Sequence, residues 1–417
     1  MSGSLTELAA IGAQEAFLSI DPEITFFKGE YKRHSNFAVE PLKNYFSPEL
    51  RLGGTGICTI ERNGDLVHEQ LLVFTLPDIS SHDHWEYVPE VAHVAVESIA
   101  LDIGGHVFVE HTGDYLAIEH ELMDAPGKEV GRMVGKEVVS ADGSYSKNIS
   151  PGAGAQEIMM PLRFWFNKEL SQVLPLIALA YHEVKIRVKL APMSKLVREK
   201  NGQDVVMPPE LAALGLVTTQ QPHILTEYIY LDDEERLGFA NSTHEYLIEQ
   251  VQYNGPHMVS AGATETTVRL DINHPVHELI WVAQADSMHS DALDTGRDYF
   301  KYELVDNVAP VSQAQLMLNG HSRFGPLPGF YFHHVQPQRL HSRIPLYQDG
   351  RYIYCWNFGR KPEDHKPSGS LNFSRIDTAN LRLHFTQAAG AGQVRVYARS
   401  RNIVRIRSGL ASVRFAS

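Results

Sequence analysis

A chain of 417 residues with 43% hydrophobic and 21% charged side chains has room for two domains, each able to bury its own core. Its formal net charge of -13 excludes a broad face for direct contact with nucleic acid, which needs a surplus of Lys and Arg. Two cysteines cannot form a disulfide framework, and no apolar run approaches the ~20 residues of a membrane span.

The opening residues, MSGSLTELAAIGAQEAF, lack the basic start and long apolar centre of a secretory signal. Thr112 to Met123 begins on a plausible Thr cap and sets Tyr115, Ile118 and Leu122 on one face, which predicts a helix. Ser140 to Gln156 is polar and poor in anchors, so it predicts an exposed loop. His182 to Leu190 places Val184, Ile186, Val188 and Leu190 on one face and charges on the other, the period of a strand. Pro208-Pro209 to Pro222 interrupts the strand pattern and predicts a joint between domains. Asp232 to Glu235, just ahead of Arg236 to Ala240, reads as the acidic opening of a helix rather than a carboxylate metal site. Thr267 to Ile272 and Gln393 to Ala398 alternate as strands, and Ala285 to Pro310 predicts a second exposed loop. Alternation with one wet face favours antiparallel sheets, and short strands cut by Gly, Pro, Asn and Asp favour sandwiches.

The two halves echo each other in order, about 210 residues apart. His68 to Phe74 resembles His277 to Val282, and Ala100 to His106 resembles Gln315 to His321. Phe164 to Asn167 has a looser counterpart in Leu371 to Ser374. The fold class predicted is all-β: two tandem eight-stranded antiparallel jelly-roll sandwiches with a few short helices in loops. The expected domains are residues 26–215 and 216–417, preceded by an arm over 1–25.

Chemistry-bearing patterns are sparse. There is no phosphate loop, dinucleotide fingerprint, HExxH, CxxC or GxSxG. His82 and His84 would face one way in a strand, as a metal pair requires, but their polar setting reads as a surface loop. His333-His334, placed in a strand, would face opposite ways, and Pro275 in His274 to His277 reads as a strand start. Cys355 lies in an aromatic strand and reads as a buried inert thiol; with Cys58 it makes two unpaired core thiols of a reducing compartment. Glycan acceptor triplets at Asn148, Asn241 and Asn372 would matter only on a secretory route. Arg395, Arg399, Arg401, Arg405 and Arg407 read as a wet strand face and exposed end, with an acidic neighbouring subunit as the alternative. No catalytic, cofactor-binding or metal-binding residue is predicted, and no cofactor. Jelly rolls also host lectins and cupin enzymes, but the clustered His/Glu set of a cupin cannot be assembled from this pattern.

Pro22 to Lys28 followed by Tyr31 to Ala38 resembles the N-terminal signature of the major capsid proteins of nucleocytoplasmic large DNA viruses. The likeness continues through Pro161 to Phe166, Leu174 to Lys185, Glu245 to Gln250, Asn273 to Val276, Leu318 to His321, Asn372 to Asp377 and Arg405 to Gly409. The resemblance implies a double jelly roll that forms pseudo-hexameric homotrimers tiling an icosahedral virion shell, made and assembled in host cytoplasm. It implies neighbouring capsid trimers and minor capsid and penton proteins as partners, an internal virion membrane beneath, and no catalytic residues. By the same analogy, Met1 to Thr25 is an arm reaching beneath the tile. Arg399 to Arg401 and Ala411 to Phe415 are more basic than the family pattern. The other expectations are a paralogous minor capsid protein or a carbohydrate-binding jelly roll of the same virion.

Overall fold

The computed structural model describes residues 3–82, 84–126, 130–135, 137–138, 145–146, 156–199, 207–217, 220–288, 298–305, 308–345 and 350–415. Its backbone divides into two units, Met1–Phe37 and Ala38–Ser417. The first carries two short helices, Gly3–Ala9 and Ala13–Ser19, with no buried residue in the first helix. Its large side chains lie in the open: Phe17, Phe26 and Phe27 are 90%, 89% and 97% exposed.

The second unit opens with two facing antiparallel sheets. In one, Phe37–Tyr45, His223–Leu231, Leu66–Leu76 and Leu174–Pro175 lie side by side, and Gln156–Pro161 also pairs with Leu66–Leu76. In the other the order is Thr55–Ile60, Val184–Leu190, Val96–Ile103 and His106–Thr112. With the interrupted sixth strand counted once, the orders by chain position are 1-8-3-6 and 2-7-4-5. That winding is the jelly roll.

The same winding recurs. His244–Tyr253, Gly392–Arg407, Pro275–Ala285 and the broken pair Tyr354–Asn357 and Leu371–Asn372 form one sheet, again 1-8-3-6. Glu265–Arg269, Ala379–Phe385, Val311–Leu318 and His321–Pro328 form the other, again 2-7-4-5. The architecture is the expected all-β double jelly roll. The matched segments fall on equivalent places: His68 and His277 in the third strands, Ala100 and Gln315 in the fourth. Both fourth-to-fifth turns have two residues, Gly104-Gly105 and Asn319-Gly320, all with positive φ, as a twisted two-residue hairpin requires.

The alternation in Val184–Leu190 holds: Val184, Ile186, Val188 and Leu190 are buried and Arg187 and Lys189 exposed. Ile186 sits opposite Cys58 on one side and Leu101 on the other, so this strand centres the first core. In the second core Trp281 stacks on Tyr354 at 6.0 Å and packs against Phe332. Both cysteines are buried and free. Thr112 caps helix Gly113–Met123 through Oγ1, which accepts from the Tyr115 amide, and Asp232 caps helix Asp233–Asn241.

The strand His223–Leu231 pairs with Leu66–Leu76, Ile224 opposite Leu72, and so completes the first sandwich beyond the Pro208 to Pro222 stretch. His333 and His334 lie in the π-helical turn Tyr331–Val335 rather than in a strand, because Phe332 turns inward onto Trp281 and Phe324. The predicted loop at 140–156 falls largely outside the described residues, as does Asn148. The stretch 285–310 is not the exposed loop expected: among its described residues Tyr299, Phe300, Tyr302 and Leu304 are buried, because these apolar side chains anchor it in the cores.

Candidate functional site: the junction between the sandwiches

The longest strand, Gly392–Arg407, faces two cores at once. Val394, Val396 and Ala398 point into the second sandwich, while Arg395, Tyr397 and Arg399 point at the first. The arginines expected on a wet face are therefore mostly covered: Arg395 is 5% and Arg399 1% exposed. Arg401 donates to the carbonyls of Asp364 and His365, and Arg405 pairs with Glu245. Of this group only Arg407 matches the wet, exposed setting in full.

Across the upper junction stands helix Gly113–Met123, buried at nearly every position because it is wedged between the sandwiches. Asp114, in its first turn, accepts from the Tyr302 hydroxyl at 3.1 Å and from the Tyr397 hydroxyl, and pairs with Arg395 at 3.4 Å. Tyr397 stacks on Tyr253 at 4.8 Å. The helix can start here only on glycine: a Cβ at Gly113 would lie 1.9 Å from the His93 carbonyl oxygen and 2.3 Å from that of Val96. Gly113→Ala should cost about 1–3 kcal/mol or more, since backbone must give way. A thermal melt indistinguishable from wild type would mean that the helix start is slack.

Below it lies a chain of ion pairs. The Arg399 guanidinium grips Glu249 with two bonds, at 2.8 and 2.9 Å, and turns its remaining nitrogen to Glu278. Lys168 joins Glu249 to Glu119, at 3.5 and 2.6 Å. Glu278 meets His341 Nε2 at 2.7 Å, and His341 Nδ1 meets Glu363 at 3.1 Å. A separate bridge runs from Glu90 to Arg351 at 2.8 Å, with Asp298 on the same guanidinium at 3.5 Å.

Burial alone would raise the Glu249 carboxyl, but Arg399 and Lys168 overcome it and hold it well below the usual range. Burial also opposes ionisation of Glu278, yet His341 and Arg399 bring it down to about 2. For His341 burial disfavours the cation, and the Glu278 charge more than offsets this, so its pKa is raised well above normal. His277, one residue before Glu278, goes the other way. Burial and then Arg399 push it down to about 3, leaving a neutral ring.

Glu278, His341 and Cys355 bring one donor atom each within 4.8 Å, a Cys/His/carboxylate set of the kind that suits zinc. Here Glu278 is already held by Arg399 and His341, and burial raises the Cys355 thiol. As it stands, this group is part of the ion-pair chain. Cys355 lies in the strand Tyr354–Asn357, as expected; its neighbour His341 was not foreseen. His82 and His84 sit in a turn ahead of Trp85–Tyr87, and Pro275 opens its strand, with His277 buried. A cleft of about 400 Å³ between the sandwiches is lined by Glu97, Asp114, Lys195, Tyr253, Arg395 and Tyr397. Lys195 and Glu97 pair there at 3.0 Å and Asp114 with Arg395, so these charges are internally matched.

Two family profiles cover nearly the whole chain. Residues 25–232 match the major capsid protein N-terminus, and residues 235–412 match the large eukaryotic DNA virus major capsid protein. Over 100% of both chains, the sequence is 34% identical to the major capsid protein of Pyramimonas orientalis virus. It is 30% identical, again over 100% of both, to that of Paramecium bursaria Chlorella virus 1. The crystal structure of PBCV-1 VP54, fitted into a reconstruction of the virophage Sputnik, superposes with a TM-score of 0.77 at 26% identity, over 94% of this chain and 100% of that one.

Fold, junction and likeness together define a double jelly-roll structural protein, not an enzyme. The chain belongs to the family of large eukaryotic DNA virus major capsid proteins, and its place is the capsid of the virion.

Proposed function

We propose that three copies of this chain form a homotrimer with a pseudo-hexagonal outline, and that such trimers tile the faces of an icosahedral shell. The observation that carries this reading is the repeated winding: each chain supplies two like blocks, so three chains supply six. The ion-pair chain at the junction supports it, because a tile transmits contacts only if its two blocks move as one. Many modest contacts between rigid tiles then act together to hold a shell.

In this reading the domains are an arm over the first 37 residues, a first sandwich through Leu231 and a second from His244. The exposed apolar side chains of the arm, Phe17, Phe26 and Phe27 among them, supply contact area for neighbouring trimers and for minor capsid or penton proteins. Assembly takes place in host cytoplasm, above an internal membrane.

Light scattering on the purified chain tests the trimer. The expected mass is about 140 kDa, three times 46.7 kDa, with hexagonal outlines in electron micrographs. A stable particle of 46.7 kDa under assembly conditions would overturn it.

A further inference from the structure

Four polar side chains converge where strand Pro275–Ala285 faces the first sandwich. Glu278 and Asn357 stand directly opposite each other in the pairing of that strand with Tyr354–Asn357, and Cys355, two residues earlier, shares their face. His341, the C-cap of helix Gln336–Leu340, lies over them, fixed by its backbone N–H, which donates to the Pro337 carbonyl at 2.9 Å. One donor atom each from Glu278, His341 and Cys355 lies within 4.8 Å of the other two, and the side chains of Glu278 and His341 are wholly buried.

These donors are aimed from outside the group. Glu363 Oε1 stands 3.1 Å from His341 Nδ1 and turns Nε2 inward, the carboxylate–imidazole pairing that orients metal-bound histidines. Arg399 takes Glu278 Oε2 and leaves Oε1 at 2.7 Å from His341 Nε2. The Cys355 thiol makes only a long contact, 3.6 Å, to the Phe332 carbonyl.

A second observation comes from Asn357, which is 9% exposed. Its Oδ1 has no hydrogen-bond partner, while its Nδ2 lies 3.4 Å from His341 Nε2. With Nε2 protonated towards Glu278, two donors face each other there; turning the amide over brings an unpartnered acceptor into the group instead. A cation among these four side chains satisfies all of them at once.

We infer that Glu278 Oε1, His341 Nε2 and Cys355 Sγ bind a zinc ion, with Asn357 Oδ1 as the fourth donor. The site is independent of the trimer reading. A thiolate and an imidazole suit Zn2+ and are poor ligands for Ca2+ or Mg2+, which take oxygen. Donors in a tetrahedral zinc site stand about 3.4 Å apart, so Oε1 and Nε2 need to part by less than about 1 Å. Without the ion, a proton on Nε2 serves Glu278. The entering ion displaces that proton and the one on the Cys355 thiol, so the buried charge does not change. It ties the C-cap of the helix to both strands and, through Arg399, to Glu249.

Elemental analysis of the full-length untagged chain, purified with zinc in the medium and then dialysed, should find about one zinc per chain. Cobalt in its place should give the sulfur-to-metal charge-transfer band of a thiolate ligand. Cys355→Ser and His341→Gln should lose both the zinc and the band, whereas Cys58→Ser keeps them. Glu363→Ala, at a side chain 25% exposed, should weaken zinc affinity about 10–100-fold. Wild type that retains no zinc, or shows no thiolate band, overturns the inference. So does a folded Cys355→Ser that holds as much zinc as wild type, since the metal then sits on other histidines. If both ligand variants fail to fold, Glu363→Ala decides, and an unchanged affinity overturns the inference too.

Discussion

Arg399→Met should lower the free energy of unfolding by about 3–5 kcal/mol, the cost of leaving buried charge without its partner. Arg399 and Glu278 are 1% and 0% exposed, and Glu249 loses both of its guanidinium bonds in the same step. A methionine fills most of the volume, so the loss reports charge rather than a cavity. Adding Glu249→Gln should recover part of it, since the carboxylate that lost two guanidinium bonds is then neutral while Lys168 keeps Glu119 and Glu278 keeps His341. Guanidinium denaturation of the three proteins is the measurement. A loss below about 1 kcal/mol for Arg399→Met would mean that water already reaches the cluster and that it is a surface pair in effect.

A buried ionic junction is a poor way to maximise stability, because desolvating the ions costs about as much as pairing them returns. Its value here is geometric. An apolar seam tolerates sliding, whereas Lys168 of the first sandwich, held between its own Glu119 and Glu249 of the second, and Arg351 of the second, held to Glu90 of the first, accept one register. Asp114 fixes the other end by meeting Tyr302, Tyr397 and Arg395 together. A tile whose blocks shifted could not repeat one contact around a ring.

Much of this fold is legible in the chain because local rules suffice for it. Val184 to Leu190 declares its buried face by alternation, Thr112 and Asp232 declare helix starts, and Gly104-Gly105 with Asn319-Gly320 declare two matching hairpins. The junction is not legible, for a physical reason. Alternation says only that one face of Gly392–Arg407 is polar; it is silent on whether water or another domain's acids lie opposite. The partners of Arg399 and Tyr397 stand 121 and 283 residues away, at Glu278 and Asp114, and no spacing rule reaches that far. His341 is hidden similarly, since it lies outside the strands that make the pattern. His333-His334 misled because aromatic and β-branched neighbours suit a strand, while the packing of Phe332 onto Trp281 selects a turn.

Acid should destabilise this protein from about pH 6.5 downward, well before carboxylates protonate. Burial pushes His111 and His333 down to about 4, and burial with Arg399 pushes His277 down to about 3. All three are neutral in the folded chain, while in the unfolded chain they bind protons near pH 6.5. The unfolded state therefore holds more protons in this window, so stability falls as pH falls, and the decline levels off near the folded values. Each fully titrating histidine contributes about 1.4 kcal/mol per pH unit, so three together approach about 4 below pH 6. His341 adds nothing to that slope: its pKa is raised, so it is protonated in both states there, and its own contribution fades only as pH rises through its folded value. Glu249 and Glu278, both lowered, lose their contribution only below the ordinary carboxylate range, at the acid end. Denaturant midpoints measured from pH 7.5 to 4.5 should trace this fall. His111→Phe, which keeps the ring stacked on Phe164 and removes the proton site, should cut the slope by about a third. A flat profile, or one unchanged by His111→Phe, would place those rings in contact with water and remove the basis for the slope.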